Sequence, residues 1–477
     1  MSNELLADYL KNSIAATPSL VDARTRDLKG RMLFHRPIFY ALEKQTKEFL
    51  AGTNIENRWI AVPGLRGTGK TTLLLQVYRN ILQDFKIPQA NVVYASLDLV
   101  SRSLGGDVLS LVKVYEELIG RNLSEIKAPV FFLLDEVQYD KNWAIAVKAA
   151  IYEKSNKTFV ITTGSSALAL QTNPDAARRI LFEKAYPLRL TEYYMLKYHK
   201  TPPRDLGPNL ARVIFSAETP EKMFMHLNLF YTAVREFVLA LQPRDIESFL
   251  RTGTLAFSVH LENEKDVFER VQNSIEKIIT DDLMNLGSFD KKTLNTIPRI
   301  LDLLSVRGTI SYENLSSAVA LEKITLMKVL DSLSKAELIN PIPPHGSVDS
   351  RVTKSYKNLF SSPAIRAALM DKVNRPIDHG LLFEDMCAMI LRRLKEKTDL
   401  IQDFTYDARD GGADFIVRTH KNQLLPIEVS YGKKSDNKQV IATMDRVGAK
   451  FGVVVSDKPL EIKGGIVNIP IEMFLLL

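Results

Sequence analysis

The 477-residue chain has a single cysteine, Cys387, which excludes an internal disulfide and suits a reducing, cytoplasmic location. It lies in an apolar helical stretch, the setting of a small core residue rather than a nucleophile. The seven histidines are scattered without the spacing of a zinc site. No apolar run approaches the ~18–20 residues needed to cross a bilayer, so no membrane association is expected. The opening MSNELLADYLKNS has early acids and no apolar core, which argues against a signal peptide. Internal repeats, low-complexity tracts and coiled-coil heptads are absent. The net charge of +7 permits contact with nucleic acid or anionic surfaces without demanding it.

What is present is organised around residues 58–80, RWIAVPGLRGTGKTTLLLQVYRN. A short apolar strand, Trp59 to Val62, runs into a glycine loop that opens onto an apolar helix. The loop GLRGTGKT fits the phosphate-binding spacing G-x-x-x-x-G-K-[ST]. Gly64, Gly67 and Gly69 let the backbone turn tightly and aim N–H groups at a phosphate. Lys70 is positioned to reach the β- and γ-phosphates and Thr71 to ligate Mg²⁺, with Thr68 and Thr72 completing the candidate ATP-binding set. The helix start adds partial positive charge.

From about 55 to 195 strands and helices alternate, as in a parallel α/β sheet. NVVYASLDLV reads as a second strand ending at Asp98, followed by a helix around Val108 to Ile119. Val130 to Leu134 is a continuous apolar run, the mark of a strand buried on both faces. Asp135 and Glu136 follow at its carboxyl end. Charge divides their tasks: Asp135 to the Mg²⁺ shell and Glu136 to polarising an attacking water. Taken alone, two such acids also suit a surface turn or helix start. A further strand, Thr158 to Thr162, leads to Thr163, Ser165 and Ser166, any of which can orient that water or sense the γ-phosphate. Ser165 is the choice, with helix capping the competing use. Arg178 and Arg179, placed on a short helix, are candidates to stabilise phosphoryl charge in cis or in a neighbouring subunit. A solvated or salt-bridged pair is the plainer reading. Residues 1–50 read as helical.

GLRGTGKT, LLDEVQ, ITTGSSA, AARR and PLRLTEYY, in this order, resemble an AAA-type ATPase family of bacteria and archaea. The resemblance continues through FLRTGTLAF and IEKIITDDLMNL and covers nearly all the chain. It implies a phosphate loop near the N-terminus and a C-terminal domain of unknown function similar to a degenerate PD-(D/E)XK nuclease. It also implies a homo-oligomer, since such modules complete one subunit's site with a neighbour's arginine.

The expected fold class is α/β, with a P-loop parallel-sheet ATPase core at 51–200 after the N-terminal helical segment 1–50. A helical linker occupies 201–290 and a winged-helix-like domain 291–360. A PD-(D/E)XK-like α/β domain occupies 375–477. In the winged-helix segment Leu326, Val329, Leu330 and Leu333 form one apolar stripe. Lys323, Lys328 and Lys335 mix with acids, and Arg351, Lys354 and Lys357 lie in the wing. DNA is thus a candidate partner beside a purely structural role. In the last domain a helix carries Glu384, an extended stretch Asp414, and a following strand Glu428. The nuclease resemblance makes these three carboxylates a second Mg²⁺ site. Its usual lysine, two residues after the glutamate, is here Ser430; Lys433, Lys434 and Lys438 are nearby substitutes, and Gln439 resembles a glutamine that some members use. IPIEMFLLL reads as a final buried strand. The expected function is Mg²⁺-dependent ATP hydrolysis coupled to a nuclease-like domain in DNA processing or genome defence. The alternative is a nucleotide-controlled switch or scaffold acting through protein partners.

Overall fold

Five apolar runs between Trp59 and Phe182 have few polar side chains, and they form one sheet covered on both faces. In the computed structural model, which describes residues 2–27, 29–54, 56–164, 174–242, 244–283, 289–347, 354–431 and 437–477, these are β1 (Trp59–Pro63), β2 (Val92–Ser96), β3 (Val130–Asp135), β4 (Thr158–Gly164) and β5 (Leu181–Phe182). Their order is β2-β3-β4-β1-β5, and every pairing is parallel. Alternate residues feed two cores. Trp59, Ala61, Phe132, Leu134 and Val160 face one, and Ile60, Val62, Phe131, Leu133 and Ile161 face the other. Helices α1 (Ser2–Thr25), α2 (Pro37–Ala51) and α3 (Lys70–Gln83) belong to this first unit, residues 1–186. Pro37 sits in the first turn of α2, where a missing N–H costs nothing. Gly52 ends that helix at φ 70°, a backbone state that glycine enters freely.

One expected boundary moves. The strand anticipated to reach Asp98 ends at Ser96, and a helix spans Leu97–Ser103. Leu97 and Val100, three residues apart, are both fully buried, and Asp98 lies in the first helical turn, where its charge favours a helix.

The second unit, residues 187–477, begins with helices Leu190–Tyr198, Leu206–Ser216, Pro220–Leu239 and Glu264–Lys277. Three more, Lys291–Ser305, Tyr312–Val319 and Lys323–Lys335, precede an antiparallel ribbon of β6 (Ile339–Ile342) and β7 (Lys357–Phe360). Leu326, Val329, Leu330 and Leu333 are all buried. Helices Pro363–Lys372 and His379–Lys397 lead to a six-stranded sheet. It contains β8 (Ile401–Thr405), β9 (Phe415–Thr419), β10 (Leu424–Ser430), β11 (Gly452–Ser456), β12 (Glu461–Lys463) and β13 (Ile466–Pro470). The order is β12-β13-β11-β10-β9-β8. β8, β9 and β10 run antiparallel, whereas β10, β11 and β13 run parallel. The helix Lys438–Val447 links β10 to β11 and so supplies the crossover a parallel pair requires.

The last strand is β13, not IPIEMFLLL. Its carboxyl-terminal residue, Pro470, also caps a short helix, Ile471–Phe474. That helix still buries Ile471, Met473 and Phe474, so the apolar reading holds while the period differs. Among the described residues no helix is long and apolar enough to cross a membrane.

Candidate nucleotide site and a buried carboxylate cluster

The glycine loop is shaped by backbone geometry that side chains resist. Gly67 and Gly69 have φ of 86° and 87°, in the left-handed region where a Cβ is penalised. Gly64 is needed for a different reason: a Cβ there would stand 2.4 Å from the Ala185 carbonyl oxygen. That close approach continues the β1 edge, where Ala185 N–H donates to Pro63 O at 2.8 Å. Within the loop, Lys70 Nζ donates to the carbonyls of Gly64 (2.8 Å) and Leu65 (3.0 Å). Thr68 Oγ1 donates to Leu65 O at 2.9 Å. Thr72 follows half-buried in the first turn of α3.

The strand order decides what meets this loop. β4 lies between β1 and β3, so the carboxyl end of β3 is brought beside the start of α3 with β4 bridging. Thr71 Oγ1 donates to Asp135 Oδ2 at 2.7 Å. Thr163, at the end of β4, donates to the other oxygen, Oδ1, and accepts from the Glu136 N–H at 3.3 Å. Tyr94 Oη makes a longer 3.4 Å contact with Asp135 Oδ2. Burial pushes the Asp135 carboxyl above the usual carboxylate range and neighbouring Glu136 adds to this, while the hydroxyls of Thr163 and Thr71 oppose it. Glu136 adopts φ 54°, a strained state for a side chain with a Cβ and one that clusters at functional sites. Gln138 Nε2 donates to its carboxylate.

These residues fit a nucleotide with Mg²⁺. The side-chain donors are hard oxygens, Thr71 and Asp135, as Mg²⁺ prefers. Two left-handed glycines and a helix start supply the amide cradle for anionic oxygens.

Thr163, one of the three hydroxyls considered, is in the site; Ser165 and Ser166 lie outside the described residues. The short helix Pro174–Ala177 ends before the arginines, so Arg178 and Arg179 occupy the turn that follows rather than the helix. Arg178 is exposed. Arg179 pairs with Glu153 at 3.1 Å and lies 5.8 Å from the Tyr152 ring centroid. Sequence reasoning missed Arg36. Its guanidinium donates to Thr68 O (2.6 Å) and Tyr186 O (2.8 Å), tying the start of α2 to the loop. A lone arginine before a helix-opening proline gives no local hint of that reach.

In the second unit Glu384, Asp414 and Glu428 come together, but around a lysine. Lys357 Nζ lies 2.7 Å from Glu384 Oε2 and 2.8 Å from Asp414 Oδ1. The hairpin fixes the acids: Val429 N–H donates to Asp414 Oδ2 at 3.0 Å, and Asp414 N–H to Glu428 Oε2 at 3.3 Å. Burial would lower the Lys357 ammonium, but the charges of Asp414 and Glu384 outweigh it and hold the pKa well above the usual lysine value. Burial raises Glu384, against the pull of Lys357. Burial, then the Asp414 charge, pushes Glu428 up to about 9.

Two expectations are corrected here. Lys357, counted among the basic residues of the wing, has a side chain only 5% exposed and points inward. Two of the three acids expected to hold Mg²⁺, Glu384 and Asp414, grip an ammonium instead, and Glu428 is bonded to the Asp414 N–H. Among the described residues no group of three or more His, Cys, Asp or Glu is arranged to hold a metal ion. Ser430 is buried at the end of β10, Lys433 and Lys434 lie outside the described residues, and Gln439 Nε2 donates to Gly412 O at 3.3 Å. Arg351 is also outside the described residues. On the third helix of the 291–360 segment, Lys323 pairs with Glu313, and Lys335 with Asp331 at 2.7 Å.

An uncharacterized protein of Methanocaldococcus jannaschii is 34% identical over 478 residues, covering 99% of this chain and 94% of its own length. The chain belongs to that protein's family. Within it, residues 56–194 match the profile of an AAA domain, in keeping with the parallel sheet and glycine loop. Residues 243–375 match a domain of unknown function. An uncharacterized Haemophilus influenzae protein is 28% identical over 138 residues, 28% of this chain and 33% of its own. Among solved structures, the Walker-type ATPase of Pyrococcus abyssi gives a TM-score of 0.37 at 13% identity, over 73% of this chain and 99% of its own. AMPPCP-bound DnaA from Aquifex aeolicus gives 0.26 at 14%, over 65% and 92%. Likeness of that degree carries no argument about this chain.

Proposed function

We propose that the AAA domain binds ATP with Mg²⁺ and hydrolyses it. The observation that carries this reading is the 2.7 Å hydrogen bond from Thr71 in the glycine loop to Asp135 at the tip of β3. It joins a phosphate cradle to an acidic pair. The backbone N–H groups of residues 64–71 and Lys70 hold the phosphates, Lys70 exchanging its bonds to Gly64 and Leu65 carbonyls for phosphate oxygens. Thr71 and Asp135 hold the Mg²⁺, which neutralises charge on the phosphates when bound. Glu136 accepts the proton of the attacking water, and Thr163 fixes the orientation of Asp135 and of the Glu136 backbone. Exposed Arg178 is the residue this chain offers to a neighbouring copy in a homo-oligomer.

Radiolabelled ATP turnover tests this reading. Glu136→Gln is expected to retain ATP binding and lose turnover; normal turnover in that variant removes Glu136 as the base. For the second unit, Lys357 within the carboxylate cluster, together with Ser430, favours a nucleotide-controlled switch or scaffold over a nuclease. Plasmid cleavage with Mg²⁺ or Mn²⁺ that depends on Asp414 overturns that preference and restores DNA processing.

A further inference from the structure

Two of the acids of the second unit, Asp414 and Glu428, are tied to the backbone without help from Lys357. Asp414 N–H donates to Glu428 Oε2 and Val429 N–H donates to Asp414 Oδ2 beside the β9–β10 hairpin, and Glu384 lies on the helix His379–Lys397. What remains, Asp414 Oδ1 and Glu384 Oε2, converges on one point, and Lys357 Nζ is at that point.

The amine has no cheap way out. Lys357 opens β7, where it is paired with Ile342 of β6. The other end of β7 is tied down by Phe360 N–H donating to Asp385 Oδ1 at 2.8 Å. Asp385 is in turn held by Arg366 through a fully buried pair. Upstream, Tyr406 Oη donates to Ser355 O at 2.7 Å, fixing the approach to the strand. The Phe415 ring closes one side, its centroid 5.5 Å from Nζ. Gly308 packs closely on the side near Glu384, where a Cβ would stand 3.0 Å from Leu381 Cδ2 and 3.9 Å from Glu384 Oε2.

We propose that the Lys357 ammonium is the permanent cation of this cluster, seated where a divalent ion would have to sit, so that the unit assembles without metal. Deleting the amine frees the two oxygens it holds, Asp414 Oδ1 and Glu384 Oε2, for a divalent cation. The reasoning is electrostatic and steric together. A divalent ion at Mg–O distances of about 2.0–2.1 Å needs the oxygens that Nζ already holds at 2.7 and 2.8 Å. It would also meet a like charge in a medium that screens poorly. Without the amine, buried carboxylates are left uncompensated, and a small hard cation is the ligand class that relieves them.

The test is Mn²⁺ binding to the full chain without nucleotide, read by electron paramagnetic resonance and by calorimetry. Wild type and Asp414→Asn are expected to bind the same number of Mn²⁺ ions, and EDTA is expected to leave the wild-type melting temperature unchanged. Lys357→Met is expected to gain one Mn²⁺ per chain, lost again in Lys357→Met/Asp414→Asn; Lys357→Arg, which keeps a cation, gains none. An Asp414-dependent Mn²⁺ in the wild type overturns the proposal. So does a folded Lys357→Met, checked by circular dichroism, that gains no ion. If Lys357→Met does not fold, the wild-type and Asp414→Asn comparison decides alone.

Discussion

Lys70 and Lys357 are both buried lysines lying beside acidic residues, yet the hydrogen bonds they make go to different acceptors. Lys70 donates to two neutral carbonyls of its own loop, a pairing that a phosphate oxygen can replace at a gain, because the new acceptor is charged. Lys357 is gripped by two carboxylates, so a new ligand would have to displace charge-assisted bonds already made in a buried site. A lysine whose hydrogen bonds go to backbone carbonyls can trade them for a ligand's oxygens. A lysine bonded to buried carboxylates already has a ligand. The acids differ as well: Asp135 accepts from the neutral hydroxyls of Thr71 and Thr163, with the Lys70 charge also acting on it, whereas Asp414 and Glu384 lie directly against an ammonium.

The comparison is sharpened first by Glu136→Gln, which is expected to lower ATP turnover by ~10²–10⁴-fold, the usual share of a general base, while leaving ATP affinity within about threefold by equilibrium dialysis. Next, Lys357→Met is expected to destabilise the second unit by about 3–5 kcal/mol in denaturant unfolding, the cost of leaving one side of a buried ion pair uncompensated. A loss under about 1 kcal/mol places that pair in the solvent-screened class and breaks the contrast. Lys70→Ala is expected to weaken ATP binding ~10²-fold, from the loss of two charge-assisted hydrogen bonds of about 1.5 kcal/mol each.

A separate effect concerns pH. The Glu428 carboxyl is raised from 4.5 to about 9 in the folded chain. Between those values the unfolded chain releases the proton and the folded chain keeps it, so this group's contribution to stability is full below 4.5 and is lost as pH rises towards 9. Glu428→Gln removes that dependence. Its melting temperature should climb relative to wild type from pH 5 to 9, by roughly 2–4 °C for each kcal/mol of linkage. A constant difference across that range would show that Glu428 is ionised in the fold.

The nucleotide site was legible in the sequence because its chemistry is local. The glycines of residues 64–71 dictate a backbone path, and a buried apolar strand ending in Asp135-Glu136 dictates where two acids emerge. Even Thr163 stood among the three hydroxyls considered, since a strand end beside β3 is a position that alternation of strands and helices can suggest. The helix boundaries at Leu97 and Ile471 were less legible: short apolar runs suit either period until it is known which face is buried.

By itself, the sequence determined a phosphate-binding loop, an acidic pair and a parallel sheet, all of them consequences of residues adjacent in the chain. Only the tertiary structure decided that Arg36, just before α2, reaches the loop and that Lys357 turns inward. It also decided that Glu384 and Asp414 grip an amine, with Glu428 beside Asp414. The reason is that a lysine's charge reads the same on a solvated wing and in a buried cluster. Which it is depends on the oxygens that distant segments bring to it, and no local spacing encodes that meeting.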